Sequence, residues 1–228
     1  VSGTVFDSNS FYNSVEVRLQ RQVTSGVSVR FGYTHVSCYT DSSGETPGAV
    51  LNGSTTALNG QDASSSRGRC AFTASERGTA TLGYDIPFFK SSDSLLLKTL
   101  FGGWNISSLT DVSRGYPMNV ITGVNVQRSA QGGGAGPDRP NLKAGCTLQN
   151  AIRPGHFGTD TPYIDGACLA PASFGYEGTI EANAFTGPSF WSTDASLKKD
   201  IPLHGERVNL RLQVDMFNVF NRTNLGTT

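Results

Sequence analysis

The chain contains no run of about 18 apolar residues, so none of its helices could cross a bilayer. It has no excess of either charge, with 18 Lys and Arg against 18 Asp and Glu. A nucleic-acid binder needs a net basic surface for the phosphates, and that class is set aside. Charged residues make up 16% of the chain, below the usual ~25%, and apolar residues only 37%. The four cysteines, Cys38, Cys70, Cys146 and Cys168, include no C-x-x-C pair and have no His in metal-ligand register. That spacing argues against a zinc site, and no cofactor motif is present. There is no G-x-S-x-G elbow and no H-E-x-x-H signature. The glycine run at 132–134 precedes no Lys-Ser/Thr and opens no strand–helix unit, so it reads as flexible loop rather than phosphate cradle. Val1 to Ser10 has neither a basic start nor an apolar stretch, so a leader has been removed or the chain is a piece of something longer.

Gly, Ser, Thr and Asn fill the space these absences leave, Gly alone accounting for 27 of 228 residues. That length gives one large domain or two small ones, with enough chain for a sizeable core. The composition is that of an all-β protein with long polar loops. An even cysteine count in such a chain favours an oxidising compartment. Sequence permits three pairings. Sequential pairing, Cys38 with Cys70 and Cys146 with Cys168, closes two local loops; four unpaired thiols are the alternative.

The informative signal has a period of two. Phe11, Val15, Val17, Leu19 and Val23 alternate with Tyr12, Ser14, Glu16, Arg18, Gln20 and Gln22, giving one apolar and one polar face. After Thr24-Ser25-Gly26, Val27, Val29, Phe31 and Tyr33 continue the pattern, which predicts a hairpin. It recurs in Ala80, Leu82, Tyr84 and Ile86, and more weakly from Trp104 to Val112. It returns in Trp191 to Ile201 and in Val208 to Met216. About six strands are expected, near 11–23, 27–37, 77–88, 99–114, 189–201 and 206–218, in one domain over 1–228.

Several of these strands exceed the usual ~5–6 residues, and tilted strands of this length match the hydrocarbon thickness of a membrane. Short turns near 24–26, 88–98 and 202–205 alternate with long loops at 39–76 and 121–188. Short turns at one end and long loops at the other is the layout of an outer-membrane barrel. Glu16, Arg18, Arg30, Asp111, Asp194, Lys198, Arg211 and Asp215 share the polar face with Ser, Asn and Gln. In a barrel that face lines the lumen, because a charge facing lipid at mid-membrane costs ~2–4 kcal/mol. The other reading is the solvated face of an ordinary antiparallel sheet.

Both cysteine pairs fall on the long-loop side, which would face outward, where oxidation is possible. Bridging Cys38 to Cys70 would remove about 3–4 kcal/mol of unfolded-chain entropy. The histidines, His35, His156 and His204, are far apart in sequence. A triad assembled in space would be needed for any of them to be catalytic.

Phe11-Tyr-Asn-Ser-Val-Glu-Val-Arg-Leu-Gln-Arg21 resembles a barrel strand of TonB-dependent receptors of the Oar-like type. So do Ala74-Ser-Glu-Arg-Gly78, Tyr84-Asp-Ile-Pro-Phe88, Phe101-Gly-Gly-Trp-Asn-Ile106, Arg114-Gly-Tyr-Pro-Met118, Asp138-Arg-Pro-Asn141 and Asp194-Ala-Ser-Leu-Lys-Lys199. Ala167-Cys168 with Pro171 and Phe174 also fits, and Phe217-Asn-Val-Phe-Asn-Arg-Thr-Asn-Leu-Gly226 is the most specific stretch. The order and spacing of these motifs carry the likeness, more than any one of them.

The resemblance implies a barrel of about 22 strands filled by an N-terminal plug. This chain would supply a C-terminal portion of the barrel, without the plug and the final strands. The implied activity is energy-coupled uptake of a scarce nutrient such as a siderophore or glycan, with no bond made or broken. The implied partners are outer-membrane lipid, a TonB-type energy complex acting through the plug, and a small-molecule or glycan ligand. Two other readings stay open. One is an extracellular all-β binding or assembly module using open strand edges; the other is a secreted hydrolase with a dispersed triad.

Overall fold

The computed structural model describes residues 8–22, 26–41, 63–89, 94–123, 138–153, 155, 160–203 and 208–225. Six long strands form one antiparallel sheet: β1 (Ser10–Gln22), β2 (Val27–Thr40), β4 (Glu76–Asp85), β5 (Trp104–Ser113), β10 (Phe190–Pro202) and β11 (Asn209–Met216). Their order in the sheet is their order in the chain, an up-and-down meander. A two-residue strand, β3 (Gly68–Arg69), adds to the outer end of β2. Four more short strands pair in the long connection, β6 (Pro117–Met118) with β9 (Phe185–Thr186) and β7 (Asn141–Leu142) with β8 (Leu169–Ala170). No helix among the described residues is long and apolar enough to cross a membrane.

The pairing register follows the alternation. Val17 lies opposite Tyr33, Leu19 opposite Phe31, Val29 opposite Leu82, Tyr84 opposite Ile106, Ile106 opposite Leu197 and Leu197 opposite Val214. Directly paired residues share a face, so one apolar surface runs unbroken across all six strands. A slip of one residue in any strand would put its charges on that surface. Among the described residues no second sheet covers it. Val15, Leu19, Leu212 and Val214 are each more than half exposed. A soluble β-sandwich would bury such a face, and exposed apolar surface on this scale marks a membrane or a partner.

The turn between β4 and β5 departs from expectation. A strand was expected from residue 99, but 99–101 belong to a helix, α1 (Leu95–Phe101), and β5 starts at Trp104. Phe89, at φ 57°, turns the chain away from β4 in the left-handed region that side chains seldom adopt. Gly103, at φ 74°, brings it back into β5 against the carbonyl of Asp200.

The protein-packed core lies in the long connections, outside the sheet. Phe185 and Ala151 are fully buried there with Met118 and Ile180, and Leu148, Tyr163 and Leu169 among others pack around them. A smaller cluster joins Val36, Cys38 and Cys70.

Candidate functional site

The polar face is built by the same register. Glu16, Arg18, Arg30, Asp111, Asp194, Lys198, Arg211 and Asp215 all lie on the side opposite the apolar surface. Their contacts stay on that side. Arg18 pairs with Glu16 at 2.7 Å, and Arg211 grips Asp200 through two contacts of 2.7 and 3.2 Å. Arg77 holds Asp111 at 2.6 Å, Asn105 donates to Asp85, and Gln213 donates to Asp215. Asp194 accepts from the backbone N–H of Asn218 at 2.8 Å. These ion pairs are solvent-exposed, so each adds about 0–1 kcal/mol of stability. Their effect is on the wetness of the face. Large exposed apolar side chains interrupt it at Leu109, opposite Thr81 and Asp194, at Phe190, opposite Ser113, and at Tyr12, opposite Cys38.

Sequence reading left Arg77, Asp85 and Asp200 out of this set. The signal was present, since each stands an even number of residues from a charged or polar member of its own strand.

At the outer end the long connections fold over the polar face. Val36, Cys38 and Thr40, on the polar side of β2, are 8%, 7% and 5% exposed, whereas the intervening Ser37 and Tyr39 are exposed. The backbone N–H of Val36 donates to Ser75. Cys38 is bonded to Cys70 and Cys146 to Cys168, the sequential pairing.

Two arginines fasten one connection to the other. Arg69 donates from Nε to the carbonyl of Asn183 at 3.0 Å, from Nη1 to Thr186 Oγ1 at 3.1 Å, and from Nη2 to the carbonyls of Ala184 and Phe185. Asn183 answers by donating from Nδ2 to the carbonyl of Arg69 at 2.8 Å. Arg139, 7% exposed, donates from Nε to the carbonyl of Ile180 at 2.8 Å and from Nη2 to that of Ser65. Burial draws both guanidinium pKa values below the ordinary arginine value, yet arginine stays charged at any ordinary pH. Gly68 passes Ala182 so closely that a Cβ would sit 2.0 Å from its carbonyl oxygen, so only glycine fits there. Farther into the layer, the backbone N–H of Ala167 and then Arg153, at 2.6 Å, hold the Asp165 carboxyl below the usual carboxylate range. Tyr163 donates from its hydroxyl to the carbonyl of Thr186 at 2.9 Å, and burial raises its pKa.

A cleft of about 150 Å³ opens beside the Cys38–Cys70 bridge, lined by His35, Tyr39, Arg69 and Pro117 among others. That is well below the ~300–1,000 Å³ of a small-molecule pocket. His35 stands on β2 opposite Val15 and Glu76. His156, His204 and the glycine run lie outside the described residues. No cluster of metal-ligating side chains occurs among the described residues.

A wet face, an uncovered apolar face and a meander with its long connections at one end are the parts of a membrane-spanning barrel wall. The family model for an outer membrane beta barrel domain matches residues 1–228, the whole chain. The chain belongs to that family. No curated protein and no solved structure matches it. The barrel domain therefore resides in the cell outer membrane, and its sheet, with β1 and β11 at its edges, is an open part of a wall. The 10 residues each of β4 and β5 and the 13 each of β1 and β10 reach the ~9–11 a tilted strand needs to span the hydrocarbon.

Proposed function

We propose that this barrel domain is part of a TonB-dependent receptor that takes up a polar nutrient such as a siderophore or glycan. Supporting this reading most directly, the disulfide-pinned connections fold over the outer end of the wall's polar face, and below them that face carries exposed charged and polar side chains. The ordered sequence motifs add to it. In this reading the apolar face meets lipid, and Glu16, Arg18, Arg30, Asp111, Asp194, Lys198, Arg211 and Asp215 line the lumen. Four of these eight are acidic and four basic, so the wall selects by hydrogen bonding more than by net charge. The ligand is captured across the loop layer and passed to the lumen when a plug, driven by an inner-membrane energy complex, moves. The domain makes and breaks no bond, and it needs no cofactor.

Uptake of labelled ferric siderophores and oligosaccharides by source cells would test this, comparing the intact gene with one disrupted within residues 138–186. Loss of uptake on disruption, and equal loss on adding a protonophore to intact cells, is expected. The native polypeptide in the outer membrane should weigh several times the 24.2 kDa of this chain. Uptake indifferent to the protonophore would make the barrel a passive channel. A soluble native chain near 24.2 kDa would end the receptor reading.

A further inference from the structure

The connection between β4 and β5 carries apolar surface that none of the described residues covers. Leu96 is 71% exposed and Leu100 56%, and their i, i+4 spacing puts them on one face of α1. A seven-residue helix has too few hydrogen bonds to stand alone in water. Two contacts fix its C-terminal end. Gly102 N–H donates to the carbonyl of Lys98, and the Phe101 ring meets that of Phe89 at 5.7 Å.

Two contacts place α1 on the apolar side of the sheet. Trp104 and Lys199 are directly paired, in register with the apolar face. Trp104 Nε1 donates to the carbonyl of Leu100 at 3.2 Å, so the helix end sits over the apolar-side tryptophan. Lys199, a cation that the register would leave facing lipid, is only 4% exposed. Its Nζ donates to the carbonyl of Gly102 and stands 5.0 Å from the centre of the Trp104 ring. The end of α1 thus caps the one charge on that stretch of the apolar face, while its leucines extend the same surface outward.

We infer that α1 is an interfacial anchor, seated at the headgroup–acyl boundary of the leaflet on the short-turn side, which in such barrels is the periplasmic one. The occupant of its exposed face is phospholipid. The apolar surface of the helix is continuous with the lipid-facing wall, Trp104 stands where an aromatic girdle belongs, and Lys98 in the last helical turn can reach headgroup phosphate. This inference holds whatever the barrel transports.

The experiment places one spin label at a time on Leu96→Cys and Leu100→Cys in the full-length barrel protein, oxidised and reconstituted in phospholipid bilayers. The four cysteines of this chain are in disulfides, and any free cysteine elsewhere in the full-length protein is first replaced by serine, so that each introduced thiol is the reactive one. Lys143→Cys, on the exposed outer loops, and Leu212→Cys, on the exposed apolar face, are the water and lipid references. Heat-modifiable gel mobility shows that each variant is folded, and two independent sites keep the test alive if one is not. Relaxation by oxygen should exceed relaxation by a water-soluble nickel chelate at both sites, with ratios between those of the two references. A ratio equal to that of Lys143→Cys would put the helix in water. Poor access to both reagents would mean a protein covers it. Either result overturns the inference.

Discussion

Arg69, in β3, braces a turn of the other long connection. Its guanidinium fills the carbonyl cup of residues 183–185, and Asn183, at φ 53°, supplies the curvature that aims those carbonyls inward. The contacts span more than a hundred residues of sequence, so no local pattern announces them. Replacing Arg69 with Met keeps most of the volume and removes every donor. The stranded carbonyls should cost about 1–3 kcal/mol. Amide hydrogen exchange in 138–186 should then quicken, while exchange in β10 and β11 stays as it was. Arg69→Lys should restore only part of the protection, because one ammonium cannot reproduce the planar fork. If exchange in the layer is unchanged in Arg69→Met, the arginine is not what joins the two connections.

The two disulfides close spans of 32 and 22 residues. Because loop-closure entropy grows only as the logarithm of length, the two differ by about 0.3 kcal/mol on that account. Burial separates them more. Cys38 and Cys70 are 7% and 1% exposed under the layer, whereas Cys146 and Cys168 are both half-buried. Graded reduction in detergent, read by mass-tagged alkylation, should open Cys146–Cys168 first; simultaneous opening would mean that the layer breathes as one unit. The pairing was open to sequence reading because both pairs are local. The strands were legible for a related reason, since a half-wet sheet must alternate, and Val15-Glu16-Val17-Arg18-Leu19 can satisfy both faces only as a strand. The helix was not legible. Leu95-Leu-Leu-Lys-Thr-Leu-Phe101 is apolar at five of seven positions, so it has no clean period of either kind. The loop core was illegible too, because Met118, Ala151, Ile180 and Phe185 come from scattered positions with no shared period.

For the molecule as a whole, the arrangement inverts that of a soluble protein. The packed core is a small one among the outer connections, and the largest apolar surface faces away from the rest of the chain. Water would make this a liability; in a bilayer the same surface becomes the contact that holds the wall in place. The two environments predict opposite results for a charge placed on each face of β1, whose residues are all exposed. Val17 lies near mid-strand on the apolar face, opposite Tyr33, and Ser14 lies on the polar face, opposite Val36. In water, Val17→Arg would be a mild surface change. In lipid it should cost ~2–4 kcal/mol near the midplane. Ser14→Arg should cost far less, since its side chain would join Glu16 and Arg18 on the wet side. Chemical unfolding of the whole barrel protein from lipid vesicles would measure both. A large loss for Val17→Arg with near-native stability for Ser14→Arg assigns lipid to the apolar face and water to the polar one. Equal, small effects would mean that β1 stands clear of the membrane, and the reversed order would turn the wall inside out.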